Sequence, residues 1–329
     1  MTISALITTY NRIGLVGRAI ESVLNQSLAP DEIIVVDDGS KDGTADFVRT
    51  RYGQRLRLVQ QPNEGISGSH RRAIKEAQAD WVAFLDSDDE WPPERNRLFA
   101  AAANQVPEDV AWIFGDTEVV DDKGTVGTVF NQYGYNVSGP THVLEDSLSI
   151  HLPFQLCLIP SSIIRRSALQ TVRAYNEGLL HSEDYLLAIQ LACRHRFAAI
   201  PEIVTRAYRT SDALSNSNDL RYRESPDYYR ARIMGFSLAI ESGRRPDWIP
   251  EYSHVVRGLC KLRASQGLPI RETARDQFRY GVSSKSAAFY TAALLGAPGV
   301  RLWDYAGAAY RRVAKSFGVD GNPSLPKLL

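Results

Sequence analysis

Residues 81–91 read Trp81-Val82-Ala83-Phe84-Leu85-Asp86-Ser87-Asp88-Asp89-Glu90-Trp91. Val82 to Leu85 form a short continuous apolar run of strand length, the pattern of a strand buried on both faces of a parallel sheet. The next five positions carry four acids. Several unpaired carboxylates cannot stay in a core, because each costs too much to desolvate. Asp86, Ser87, Asp88, Asp89 and Glu90 are therefore expected to emerge at the strand's carboxyl end, where open α/β sheets bind ligands. Crowded carboxylates repel, and a divalent cation relieves the repulsion. Oxygen donors of this hardness suit Mg2+ or Mn2+, with water and substrate phosphates completing the shell. The same acids would also serve as a turn ahead of a helix starting behind Trp91-Pro92-Pro93, since carboxylates favour a helix N-terminus. The neighbouring chain decides between the two readings.

Upstream, residues 3 to 9 read as a first strand, followed by Leu15, Ala19, Ile20, Val23 and Leu24 at helical spacing. Residues 32 to 36 form a second apolar strand that ends in Asp37-Asp38-Gly39-Ser40, with a helix after Thr44. Residues 56 to 60 form a third strand, Asn63-Glu64-Gly65 a turn, and residues 67 to 78 a helix. Strand and helix thus alternate four times within the first ninety residues. Such alternation implies a parallel sheet with helices on both faces and right-handed crossovers. A parallel sheet brings the polar strand ends to one edge: Thr8 to Asn11, Asp37 and Asp38, Gln61 and Asn63, Asp86 and Asp88. Four polar ends, two with paired carboxylates, favour a site over ordinary polar loops. No Gly-x-Gly-x-x-Gly follows the first strand and no Gly-Lys-Ser/Thr loop is present, which counts against dinucleotide binding and a phosphate-loop nucleotidase.

Downstream, a helix is expected to about Gln105, then a strand over Val110–Val120, a hairpin turn at Asp121-Asp122-Lys123-Gly124 and a return strand. Residues 131 to 160 read as irregular, the texture of a binding loop. A short strand and helix over 161 to 172, a helix opened by His181-Ser182-Glu183-Asp184-Tyr185, and a strand pair over 197 to 208 complete this region. From about 217 the chain reads as charged helices, at 221 to 245, 250 to 265, 270 to 281, 284 to 296 and 301 to 317. The last of these set Phe289, Tyr290, Trp303 and Tyr310 beside Arg301, Arg311, Arg312 and Lys315. Such a face suits a membrane surface, the main domain or a second subunit.

At 329 residues the chain can bury a full core in one large domain with an appendage, or in two domains. Lysine plus arginine equals aspartate plus glutamate at 38 each, so net charge gives no reason to expect nucleic acid as a partner. Cys157, Cys193 and Cys260 lack metal-ligand spacing and read as buried thiols of a reducing compartment. The N-terminus enters a strand directly, without the features of a signal peptide, and no stretch is a transmembrane candidate. A cytoplasmic location, with contact at the inner membrane face open to it, is the expectation.

Taken together, Thr8-Thr9-Tyr10-Asn11, the run Glu32 to Thr44, Asn63-Glu64-Gly65 and Phe84 to Asp89 resemble the inverting family 2 glycosyltransferases. The resemblance covers about residues 1 to 215 and rests on the order and spacing of several motifs. It implies an α/β fold of the GT-A type: a doubly wound, mixed but mainly parallel sheet, here with a C-terminal helical appendage. The implied domains are 1–216, divided into a nucleotide half (1–105) and an acceptor half (106–216), and a helical region at 217–329. It also implies a nucleotide-sugar donor, most simply a UDP-sugar, and a glycan or lipid-linked acceptor, in the setting of polysaccharide or glycolipid assembly.

By the same resemblance, Thr8 and Tyr10 contact the base, with the tyrosine ring stacked on it. Asp38 accepts a base N–H, which suits uracil, whose N3–H needs an acceptor. Asp86 takes the ribose or metal position and Asp88 is the direct ligand of Mn2+ or Mg2+, which would stabilise the leaving nucleotide. Glu183-Asp184 matches an acidic pair whose second member acts as general base, so Asp184 is the expected base and Glu183 the fallback. On the residues alone, Ser182 capping a helix with two acids in its first turn is the competing reading. Two places depart from the pattern. Ser69-His70-Arg71-Arg72 puts His70 where the family has an arginine, with Arg71 or Arg72 able to reach the phosphates instead. Tyr208-Arg209 leads to Asp212 and no histidine. A nucleotidyltransferase or a non-catalytic nucleotide-sugar scaffold are the competing functions; the first lacks the basic glycine-rich loop it would need after the first strand.

Overall fold

The computed structural model of the chain describes residues 1–151, 156–172, 175, 179, 182–209, 225–243, 255–256 and 258–263. The chain divides into two compact units, Met1–Asn216 and Ser217–Leu329. The first is built on one sheet whose strands lie side by side in the order Arg57–Gln60, Glu32–Asp37, Ile3–Thr9, Trp81–Asp86, Ser162–Arg165, Val110–Asp121, Arg196–Tyr208 and His142–Val143, with Gly124–Thr128 pairing to Val110–Asp121 off this path.

The amino-terminal block follows from the apolar runs. Strands β1 (Ile3–Thr9), β2 (Glu32–Asp37), β3 (Arg57–Gln60) and β4 (Trp81–Asp86) lie parallel. Helices α1 (Val16–Leu24), α2 (Thr44–Tyr52) and α3 (Gly65–Glu76) make the crossovers. Because side chains alternate across a strand, Ala5, Ile7, Val35, Ala83 and Leu85 join Ala19, Ile20 and Val23 of α1 in one core. Their neighbours Leu6, Ile34, Val36 and Phe84 are also buried, on the opposite side. Full burial of one such aliphatic side chain contributes ~1.5–3 kcal/mol, so both faces of the sheet fix the register. Strand β1 sits between β2 and β4, so the chain reverses its direction of travel across the sheet there. That reversal opens a crevice at the carboxyl ends of β1 and β4.

The second half is mixed. Strand β5 (Val110–Asp121) turns at Asp121 to pair antiparallel with β6 (Gly124–Thr128), as the hairpin signal indicates. Strand β8 (Ser162–Arg165) runs antiparallel to both β4 and β5. Helix α4 (Arg95–Ala103) leads from β4 to β5. The stretch expected to be irregular contains α5 (Val129–Tyr133), the two-residue β7 (His142–Val143), α6 (Ser147–His151) and a 3-10 turn at Ile159–Ser161. These elements are too short for periodicity to reveal. Helix α7 (Arg166–Leu169) follows β8, and α8 (Glu183–Ala192) precedes β9.

The strand pair expected over 197–208 is one strand, β9 (Arg196–Tyr208), parallel to β5. Its pairing jumps from Phe114↔Ala199 to Asp116↔Ile203. The extra residues on β9 include Pro201, which has no N–H to give a ladder and so favours a bulge. Gly115 lies opposite: a Cβ there would sit 2.8 Å from a Val204 methyl and 2.9 Å from the Glu202 carbonyl. Beyond the bulge β9 stays on course to reach the acidic loop after β4, where Glu90 and Arg206 exchange backbone hydrogen bonds of 3.1 and 2.8 Å.

In the second unit, α9 (Pro226–Glu241) is started by Ser225, whose hydroxyl accepts from the Tyr228 N–H at 3.2 Å, with Pro226 in the first turn. Residues 255–256 and 258–263 are also helical. The helices expected at 270–281, 284–296 and 301–317 lie outside the described residues. No helix among the described residues is long and apolar enough to cross a membrane.

Candidate active site

The crevice collects the expected residues from separate elements. At the end of β1, Thr8 is half-buried and Tyr10 is exposed at 42%. Asn11 adopts the left-handed region, φ 51°, which asparagine tolerates better than most residues. There its N–H donates to Ser40 Oγ (2.9 Å) and its Oδ1 accepts from the Lys41 N–H (2.8 Å). The loops after β1 and β2 are thereby tied together, with the Tyr10 ring left facing outward.

Asp38 is buried, and its carboxylate accepts from Gln61 Nε2 (2.7 Å) and from the N–H groups of Glu64 (3.0 Å) and Gly65 (2.9 Å). It therefore anchors the first turn of α3, whose amides lack helical partners. Gly39, at φ 78°, lets the two loops close, since a Cβ there would lie 3.0 Å from the Asn63 nitrogen. A carboxylate offers about four acceptor positions, of which three are taken.

The acidic loop holds the strongest electrostatic signal. Ligand oxygens of Asp86, Asp88 and Asp89 all lie within 4.8 Å of one another. Burial, then Asp88, pushes the Asp86 carboxyl up to about 7 against the pull of Arg209, with Asp184 raising it further. Burial and the neighbouring Asp86 and Asp88 also hold Asp89 well above the usual carboxylate range. Asp89 Oδ1 accepts from the Tyr208 N–H at 3.0 Å. Among the described residues, no side chain donates a hydrogen bond to the Asp86 or Asp88 carboxylate. Three hard oxygen donors, mutually repelling and short of partners, fit Mg2+ or Mn2+. Sequence reasoning named Asp86 and Asp88 for this role; Asp89 belongs to the same cluster.

Glu183 and Asp184 open α8 and share this field. The Glu183 carboxyl is buried and pushed up to about 8 by burial, then by Asp184 and Asp86. Asp184 is half-buried. Both acids stand in the first turn, where Asp184 Oδ1 accepts from the Tyr185 N–H at 2.8 Å. Ser182 does not cap the helix: it sits in the left-handed region at φ 64° and its side chain makes no capping bond. A non-glycine residue held there is strained, and such strain concentrates at functional sites.

His70 requires a correction. The phosphate role implied for it needs a cation, yet its ring is buried on α3. The centroid lies 5.0 Å from Phe84 and 5.1 Å from Tyr175, and burial drives its pKa down to about 4. At neutral pH this ring is uncharged. Arg71 reaches across instead: Nη1 donates to the Tyr175 carbonyl (2.8 Å) and Nη2 to Glu64 (3.0 Å). Tyr175 itself is a group that sequence reasoning missed. Its hydroxyl is buried with no hydrogen-bond partner among the described residues, and burial plus Glu183, Asp184 and Asp86 raise its pKa. No motif marks it. His181 and Asp212 lie outside the described residues.

Residues 4–173 match the sequence model of "Glycosyl transferase family 2". Escherichia coli WfgD, a UDP-Glc:alpha-D-GlcNAc-diphosphoundecaprenol beta-1,3-glucosyltransferase, is 25% identical over 221 residues, covering 67% of this chain and 81% of its own. The succinoglycan biosynthesis protein ExoO of Rhizobium meliloti is 29% identical over 205 residues, covering 60% and 58%. The chain spans only 30% of an uncharacterised glycosyltransferase of Nostoc that is 38% identical over 98 residues, 29% of this chain. Among solved structures, Staphylococcus aureus TarS 1-349 in complex with UDP-GlcNAc superposes with a TM-score of 0.56 at 21% identity, covering 88% of this chain and 78% of that one. The match spans the strands, the crevice and the acidic loop just described, and the chain belongs to glycosyl transferase family 2: it is a glycosyltransferase with the GT-A fold.

Proposed function

We propose that the chain transfers a sugar from a UDP-sugar to an acceptor hydroxyl with inversion at the anomeric carbon, and that Asp86, Asp88 and Asp89 hold a divalent cation for this. The observation that carries the reading is the 4.8 Å carboxylate cluster at the end of β4, set in one electrostatic field with Glu183 and Asp184. When bound, Mn2+ or Mg2+ supplies Lewis-acid stabilisation to the departing diphosphate. The half of the unit up to residue 105 takes the nucleotide, with Tyr10 under the base and the remaining acceptor position of Asp38 on its N–H. Residues 106–216 take the acceptor.

Burial divides the work of the two acids on α8. Glu183 is the buried member, and burial and the neighbouring Asp184 push its carboxyl up to about 8, which favours its protonated form and disfavours it as the base. Asp184 is the half-buried member and takes the hydroxyl proton as the acceptor oxygen attacks. The new carbon–oxygen bond forms on the face opposite the phosphate, and the bond to the phosphate oxygen breaks. Two carboxylates in different settings thus take different roles.

A lipid-linked or growing glycan acceptor is consistent with what WfgD and ExoO are named for. Work on such an acceptor would bring the chain to the inner membrane face, with residues 217–329 as the region for membrane contact or self-association. The deciding experiment is a panel of nucleotide sugars assayed for UDP release with and without Mn2+. Metal-independent release, or none with any UDP-sugar, would reject the reading.

A further inference from the structure

Two residues outside the carboxylate cluster, Arg18 and Tyr208, grip the loop that carries it. Arg18, on α1, donates from Nη2 to the carbonyl oxygen of Asp88. Its guanidinium carbon lies 3.8 Å from the centroid of the Tyr208 ring, and its Nε stands 4.0 Å from Glu90 Oε1. The Tyr208 hydroxyl donates to Glu90 Oε2 at 2.5 Å, while its backbone N–H donates to Asp89 Oδ1 at 3.0 Å. Asp88, Asp89 and Glu90 are thus each held by a different bond, from α1 on one side and the end of β9 on the other.

The form of these contacts matters. Arg18 gives its Nη2 hydrogen to the Asp88 backbone and sets its charge against Glu90, so it fixes the loop without occupying the Asp88 carboxylate. A guanidinium can donate in its plane while its face rests on an aromatic ring; an ammonium cannot do both. Three carboxylates whose oxygens lie within 4.8 Å would drift apart in an unrestrained loop. Holding them together during folding leaves less ordering to be done when a ligand binds.

We propose that Arg18 and Tyr208 are positioning residues that hold residues 88–90 in the conformation that takes a divalent cation. The inference rests on Asp86, Asp88 and Asp89 being the ligands. It adds that the affinity is set from 70 and 119 residues away in sequence, by an aromatic–guanidinium pair that touches neither cation nor substrate.

The test is direct titration of the full chain with Mn2+ alone, free Mn2+ being read by electron paramagnetic resonance at a temperature where circular dichroism shows every variant folded. Wild type should bind saturably and Asp88→Asn should not. Arg18→Gln and Tyr208→Leu should each weaken Mn2+ binding about tenfold, the usual scale for residues that orient metal ligands. The double variant should lose no more than the worse single one, because the two act as one unit. Arg49→Gln, which breaks an exposed pair with Asp46, should bind like wild type. A merely structural role would lower the melting temperature and leave the dissociation constant of the folded protein alone, and that result overturns the proposal. If Arg18→Gln does not fold, Arg18→Lys and Tyr208→Phe carry the test, and unchanged affinity in both overturns it equally. Absence of saturable binding in wild type would instead reject the ligand assignment, and this inference with it.

Discussion

Thr8 on β1 and Asp86 on β4 are register partners, side by side where the strand order turns back on itself. The nucleotide contact proposed for Thr8 and the cation ligand proposed at Asp86 therefore need no long side chains to meet. Asp86 is under stress there: burial and the neighbouring Asp88 and Asp184 disfavour its charge, against the pull of Arg209. Replacing it by a neutral isostere should relieve that stress. Asp86→Asn is expected to raise the metal-free melting temperature at pH 8 by a few degrees, since ~1 kcal/mol moves a domain of this size by about 2–4 °C. It should also abolish the rise that Mn2+ produces in wild type. Differential scanning fluorimetry with and without Mn2+ reads both signs. A lower metal-free melting temperature would show that the Asp86 charge is compensated.

The pH dependence follows from the same groups. Asp86 is raised to about 7 and Glu183 to about 8, against about 4 in the unfolded chain. Between those limits the folded state binds more protons than the unfolded one, so metal-free stability falls as pH rises from about 4 to 8. A cation must displace those protons, so its stabilising effect grows over the same interval. The Mn2+-induced shift in melting temperature should be larger at pH 8 than at pH 6. Equal shifts at the two values would mean that the cluster is already ionised in the folded protein.

The parallel block and its acidic edge were legible in the sequence because they rest on local signals: continuous apolar runs, turn residues and carboxylates packed too closely to bury. That β9 is one strand and not a pair has no local signal: only the apposition of Gly115 shows how the chain carries on past Pro201. Tyr208 could be seen in the sequence as part of a pair with Arg209, but its grip on Glu90 spans 118 residues and has no sequence signature. His70 was assigned by motif position, and motif position does not say whether a side chain on α3 faces the crevice or Phe84.

His70 tests that last distinction. A neutral imidazole between two aromatic rings, with Nδ1 unpartnered, gains little from its polarity. His70→Phe removes the titrating ring but adds bulk between Phe84 and Tyr175, so a cost of about 1–3 kcal/mol is expected at pH 7. Because burial lowers the His70 pKa from 6.5 to about 4, the folded state binds fewer protons than the unfolded one in that interval. Wild-type stability should therefore gain a component as pH rises from about 4 to 6.5, and His70→Phe should lack it. Urea denaturation at pH 4.5, 5.5 and 7 would show the two proteins converging or crossing. A variant that folds normally but loses UDP binding would instead restore His70 to the nucleotide site.

The acids of α8 give the sharpest functional contrast. Burial and Asp184 push the Glu183 carboxyl up to about 8 and favour its neutral form, so Glu183→Gln keeps a neutral hydrogen-bonding group of nearly the same shape. Asp184→Asn removes the carboxylate proposed to take the acceptor's proton, the half-buried member of the pair. UDP release in the presence of acceptor should fall by about 10²–10⁴-fold in Asp184→Asn, the usual range for loss of a general base. In Glu183→Gln it should fall by no more than about tenfold, because no interaction unique to the transition state is removed. Mn2+-dependent UDP binding, followed by calorimetry, should survive both changes, since neither side chain belongs to the ligand cluster at the end of β4. The reverse ranking of the two variants would make Glu183 the base. Full activity in both would place proton removal elsewhere, and the strained turn at Ser182 would then need another explanation than the presentation of Asp184.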